Sequence, residues 1–131
     1  MQQRTKPRPK YLALHEIRLP LAGYASILHR VSGAGLFLML PLLIWLFQLS
    51  LDSTQNGSAL FAAVTGNILV KLILLGLLWA FLHHFCMGIR ILLIDIHVGV
   101  EKQQAHASAI AVLAVSLTLT LIFGLKLLGA Y

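Results

Sequence analysis

Three stretches without charge, each long enough to cross a bilayer, constrain this chain more than any other feature. Between Arg30 and Asp52 lie 21 uncharged residues, between Lys71 and Arg90 lie 18, and between Lys102 and Lys126 lie 23. A helix rises about 1.5 Å per residue, so about 20 apolar residues cross a hydrocarbon core about 30 Å thick. The middle run extends backward through Asn67-Ile-Leu-Val, which brings it to full length. The segments between the runs, Asp52-Ser-Thr-Gln-Asn-Gly-Ser and Asp95 to about His106, are short and polar. The runs lack an alternation of period two and are too long for single strands of a barrel. The sequence therefore predicts an all-α membrane protein with three transmembrane helices, about 24–51, 67–95 and 107–130, behind an arm over 1–23, all in one domain of 131 residues.

Charge agrees with this reading. Only 11% of the residues are charged and 59% are hydrophobic, whereas a soluble globular protein carries roughly 25% charged residues. That excludes disorder, an ordinary soluble enzyme and a solenoid with a solvated face. The lone Cys86 excludes an internal disulfide framework and any C-x-x-C site. A net charge of +6 in a soluble chain would suggest nucleic acid, but here its distribution follows topology and no nucleic-acid partner is expected. Arg4, Lys6, Arg8, Lys10, Arg18, Arg30, Arg90 and Lys102 belong to one side of the bilayer, Lys71 and Lys126 to the other. Basic residues stay on the cytoplasmic side, which places the N-terminus in the cytoplasm and the C-terminus outside. The basic opening lacks the apolar core and cleavage site of a secretory signal. Pro7, Pro9 and Pro20 predict an extended arm.

Ionisable residues inside a span cost roughly 2.5–3.5 kcal/mol on insertion scales, so each needs a partner or a function. They are His29 and Arg30 in the first helix, His83, His84 and Arg90 in the second, and Asp95 at its end. The third helix has none, and its Ser116, Thr118 and Thr120 can bond to their own backbone. His83 and His84 point about 100° apart, so both cannot bind one metal ion from the bundle interior. His84 has Gly88 one turn on, which leaves room for a flat macrocycle, whereas His83 has Met87 there. Spacing favours His84 as a haem ligand; the alternative is a histidine bonded to a neighbouring helix. In the first helix Ser26, His29, Arg30 and Gly33 stand at i, i+3, i+4 and i+7, on one face. Arg30 offers a fork of donors that suits a carboxylate or a quinone carbonyl turning anionic. Otherwise Arg30 snorkels to headgroups and the glycines allow close packing. Asp95 is either a proton relay or the ion-pair partner of Arg90.

Ser26-Ile-Leu-His-Arg-Val-Ser-Gly33 resembles the S-x-x-H-R-x-[ST]-G signature of the cytochrome b membrane-anchor subunit of succinate dehydrogenase, respiratory complex II. His84-Phe-Cys-Met-Gly-Ile-Arg90, followed by Asp95, resembles the family's second motif, H-x-x-x-G-x-R-H-x-x-x-D, and Arg18-Leu-Pro20 matches upstream. Ile91 stands where the family often has histidine, and Ile94 where many relatives have tryptophan. The resemblance implies half of a two-subunit helix bundle in the bacterial inner membrane, with haem b shared with a second anchor subunit. It implies a flavoprotein that oxidises succinate, an iron–sulfur subunit on the cytoplasmic face and ubiquinone reduced where the subunits meet. By position it makes His84 the axial iron ligand, puts His29 and Arg30 near the haem propionates, and lines the quinone site with Ser26 and Arg30. This subunit then holds no catalytic residue of succinate oxidation. Two other readings stay open: a fumarate reductase anchor using menaquinone, and a haem-free structural anchor. A transporter is disfavoured, since the chain has no inverted repeat and no buried acid.

Overall fold

A computed structural model describes residues 16–129. Most of the basic arm, with Arg4, Lys6, Arg8, Lys10, Pro7 and Pro9, and the expected end of the last helix at 130 lie outside the described residues. The described chain is helical: α1 (Leu21–Leu51), α2 (Gln55–Gly66), α3 (Ile68–Asp95) and α4 (Lys102–Leu128). α1, α3 and α4 are each long and apolar enough to cross a membrane.

Pro20 starts α1. Its extended backbone and fixed φ put its carbonyl under the amide of Gly23, at 2.8 Å. The helix runs through Pro41. Proline has no N–H for the carbonyl four residues back, a loss that spanning helices tolerate when neighbouring groups take it up. At 31 residues α1 is about 46 Å long, so it outreaches the hydrocarbon core at one or both ends.

The short helix α2 was not expected; its first residues fall in the segment read as a polar loop. Local capping explains it. The Thr54 side chain accepts from the amide of Gly57 at 3.1 Å, and Asp52 Oδ1 accepts from the amide of Thr54 at 2.9 Å. The Asp52 carboxylate stands where a Cβ of residue 57 would be, so Gly57 is needed there. Hydrogen bonds from the side chain and backbone of Thr54 hold the Asp52 carboxyl below the usual carboxylate range. At its other end α2 gives way to α3 across Asn67 alone, whose Oδ1 accepts from the amide of Leu69 at 2.8 Å.

α3 ends in a Schellman turn. The amide of Val98 reaches the carbonyl of Leu93 at 2.9 Å and that of His97 reaches Ile94 at 2.8 Å. His97 takes the left-handed position at φ 64°, and Gly99 follows at φ 77°. α4 begins at Lys102, earlier than the sequence reading placed it, and closes on Gly129 at φ 83°. The polar start Lys-Gln-Gln-Ala-His has helix-forming residues in helical register; a search for apolar spans alone passes over it. Within α4, Ser116 and Thr120 donate to the carbonyls of Leu113 and Ser116.

α3 is the central element, packed on α1 along one flank and α4 along the other. The tightest packing lies where α1 begins, α3 ends and α4 begins. There Ala25, Met87, Ala109 and Val112 are buried together, with Ala22, Cys86 and Ile91 around them. Ala25 and Ala109 are fully buried. Small side chains at these seams let helix backbones approach in an apolar solvent, where contact rather than water exclusion drives association. Large apolar side chains such as Phe37, Phe47, Phe81 and Leu121 stay exposed on the outer faces, as a surface meeting lipid or other apolar helices requires.

Candidate functional site

The residues singled out in α1 and α3 meet at the same end of the bundle. His84 and His29 stack face to face, with ring centroids 4.1 Å apart and planes 9° from parallel. Nδ1 of His84 lies 3.0 Å from the carbonyl oxygen of His29. A carbonyl only accepts, so Nδ1 carries the hydrogen. Ser32 Oγ, 3.4 Å from the same nitrogen, also donates to the His29 carbonyl at 2.9 Å. These contacts set the tautomer and leave Nε2 of His84 with its lone pair, the form of histidine that binds a metal.

Gly33 makes the arrangement sterically feasible. A Cβ added there would lie 2.7 Å from Cε1 of His84 and 3.1 Å from Nδ1. The ring is held by its bond to His29 and by the stack, so it cannot swing away freely. Gly33→Ala should therefore displace the imidazole at a cost of about 1–3 kcal/mol, the range for overpacking a filled site. This will appear as a lower thermal midpoint. An unaltered midpoint would show that the ring has slack.

His83, adjacent in sequence, has a different environment. It is wholly buried in the seam between α1 and α3. Nε2 donates to the carbonyl of Ala25 at 3.3 Å, and the ring stacks on Trp79 at 5.4 Å. Nδ1 of His83 and Nε1 of Trp79 are buried without a partner among the described residues. The two histidines thus grip carbonyls of α1 one turn apart, Ala25 by His83 and His29 by His84. Only His84 is part-exposed.

Arg30 is exposed and Ser26 half-buried, both on α1 near the stack. Neither side chain has a hydrogen bond or ion pair with a described residue. Gly88 has nothing closer to an added Cβ than Nε2 of His29, at 3.9 Å. The structure does not bring Arg90 and Asp95 together. Arg90 is buried and turned to α4: Nε donates to Ser108 Oγ at 2.9 Å, NH2 donates to the carbonyl of Ala105 at 3.0 Å, and NH1 lies 3.8 Å from the sulfur of Met87. Asp95 is exposed at the last turn of α3. Arg90 thereby clamps α3 to α4, and the burial of a guanidinium there is offset by three partners.

Sequence reasoning passed over two hydroxyls. Ser32 lies one helical turn beyond His29, a spacing that could have flagged it as the support for His84. Ser108 had no visible signal, because its importance comes from Arg90 reaching across from another helix.

The family of succinate dehydrogenase/fumarate reductase transmembrane subunits matches residues 4–123. The succinate dehydrogenase cytochrome b556 subunit of Paracoccus denitrificans is 34% identical over 99 residues, which cover 76% of this chain and 75% of that protein. The subunit of the same name from Coxiella burnetii is 35% identical over 89 residues, 68% of this chain and 71% of the relative. That from Rickettsia felis is 32% identical over 94 residues, 72% of this chain and 70% of the relative. Both helix-borne motifs fall inside a family match that spans nearly the whole sequence, and the chain belongs to the succinate dehydrogenase/fumarate reductase transmembrane subunit family.

Proposed function

We infer that this chain is the membrane-anchor cytochrome b subunit of a bacterial succinate:quinone oxidoreductase, with its N-terminus in the cytoplasm. It pairs in the inner membrane with a second anchor, an iron–sulfur subunit and a flavoprotein. The observation that carries the reading is the bond from Nδ1 of His84 to the His29 carbonyl. It leaves Nε2 as a bare lone pair on a part-exposed ring, beside an exposed arginine. These residues fit a haem b held at the outer edge of the α1–α3 seam and shared with a second subunit. His84 would hold the iron, with His29 and Arg30 toward the propionates. Haem b, when bound, supplies a one-electron store beside the quinone.

The chain's own residues account for the rest. Ser26 and Arg30 have no hydrogen-bond or ion-pair partner among the described residues, so their donors are available to the two oxygens of ubiquinone. As electrons arrive from the iron–sulfur subunit, negative charge builds on those oxygens. A guanidinium held beside them would stabilise that charge more than it stabilises the neutral quinone, which lowers the barrier. Reduction takes two electrons and two protons. The site lies close to where α1 begins, so protons have a short path from water. Asp95, exposed and not paired with Arg90, is our candidate to pass them on.

The relatives are named succinate dehydrogenase subunits, which supports the direction from succinate to quinone. The deciding experiment is purification of the chain with its companion subunits, followed by a pyridine haemochrome spectrum. A b-type spectrum at one haem per complex is expected. An intact, active complex without haem would leave the purely structural anchor as the correct reading.

A further inference from the structure

The far end of the bundle, where α1 ends, α3 begins and α4 ends, contains a groove of about 700 Å³. Leu46 and Phe47 of α1, Phe61 of α2 and Leu74 of α3 form apolar walls. Lys71 and Lys126, the two basic residues of that end, both line the same groove. Lys71 is half-buried one turn into α3, and Lys126 stands in the last turn of α4. A lysine at the edge of a span usually snorkels outward on its own. Two of them on one apolar groove, from two helices, form a local concentration of positive charge.

No described carboxylate neutralises it. Glu16, Asp95 and Glu101 belong to the opposite end in chain order. Asp52 is at the right end, but its carboxylate accepts from Thr54 and covers Gly57. Neither ammonium has a hydrogen bond or ion pair with a described residue. The groove's hydroxyls are already committed as donors: Ser50 to the carbonyl of Phe47 and Thr65 to that of Phe61, each at 2.7 Å. The donors left for a ligand are therefore the two ammonium groups, and the surface beneath them is apolar.

We propose that this groove binds an anionic phospholipid, with its phosphate between Lys71 and Lys126 and an acyl chain along Leu46, Phe47, Phe61 and Leu74. Charge complementarity selects an anion. The apolar walls select one with a hydrocarbon tail, because a free phosphate would leave them wet. With the hydroxyl hydrogens occupied, recognition reads charge rather than headgroup shape, so phosphatidylglycerol and other acidic lipids bind alike. The site is separate from the His84 end, and its test does not depend on haem.

The experiment uses the whole complex, stripped of lipid in detergent and then exposed to phosphatidylglycerol, phosphatidylcholine or inorganic phosphate. Bound lipid is counted by mass spectrometry and stability followed by the thermal midpoint. Two lysines near a lipid phosphate should favour phosphatidylglycerol over phosphatidylcholine by roughly 30-fold. Lys71→Gln with Lys126→Gln should abolish that preference. Lys71→Arg with Lys126→Arg should keep it, and succinate oxidation by a soluble dye should be unchanged in both. Equal retention of the two lipids by the unaltered complex would overturn the proposal. So would stabilisation by inorganic phosphate equal to that by phosphatidylglycerol, which marks a free-anion site. Loss of a companion subunit from the glutamine variant, with its lipid content unchanged, would assign the lysines to a protein carboxylate instead.

Discussion

Replacing His84 by alanine will abolish the six-coordinate low-spin haem spectrum of the assembled complex or remove the haem altogether. The expectation rests on tautomer and exposure together. The bond from Nδ1 to the His29 carbonyl leaves Nε2 as the free lone pair, and the part-exposed ring is open to a group outside the chain. His83 is the internal control. It is wholly buried, and its Nε2 is engaged with Ala25. His83→Gln carries a donor to nearly the same place and should keep the spectrum while lowering thermal stability modestly. Absorption and electron paramagnetic resonance spectra of the two purified variants make the comparison. An unchanged spectrum in His84→Ala, or haem loss confined to His83→Gln, would reverse the assignment.

Arg30→Leu will slow ubiquinone reduction by roughly ten- to a hundred-fold, the range for losing a hydrogen bond from a charged group. Oxidation of succinate by a soluble dye will stay near normal, because the proposed function assigns that chemistry to the flavoprotein. Arg30 is suited to the role because its guanidinium is exposed and has no partner among the described residues; Arg90, with three partners, is not. Ser26→Ala removes a neutral hydrogen bond worth roughly 0.5–1.5 kcal/mol. It should cost a few-fold to about ten-fold, mainly through a higher KM for quinone. Arg30→Lys should restore part of the rate, since an ammonium keeps the charge but lacks the planar fork. Dye and quinone assays on the same membranes separate the outcomes. Parallel losses in both would indicate failed assembly and remove the case for a direct contact with quinone.

The two anchoring residues of α3 illustrate how far a sequence reading reaches. Adjacent histidines on a helix diverge by about 100°, so one had to face inward and the other aside. Spacing favoured His84 because Gly88 follows one turn later. The fold adds a different glycine: Gly33, on α1, is the residue that admits the His84 ring. Two polar side chains near in sequence, Arg90 and Asp95, suggested an ion pair. Packing turned Arg90 to Ser108 and Ala105 instead, partners that lie on α4.

By itself the sequence determined that there are three long apolar helices, though not where each begins, because the cost of charge and of unpaired backbone in hydrocarbon leaves a chain little choice. It also determined the family, through two motifs in the right order on the right helices. The tertiary structure alone decided which nitrogen of His84 is free, which histidine is sealed in, where Arg90 points and that Lys71 and Lys126 share one groove. Those outcomes depend on how far each helix is rotated and shifted against its neighbour. That is settled by small-residue contacts such as Gly33 beneath His84 and the buried Ala25 and Ala109, which span sequence separations that no local pattern encodes. The helix α2 falls between the two cases. Its cap residues Asp52, Thr54 and Gly57 were in view, but an isolated helix of 12 residues is marginal in water, and only its packing against α1 and α3 makes it persist.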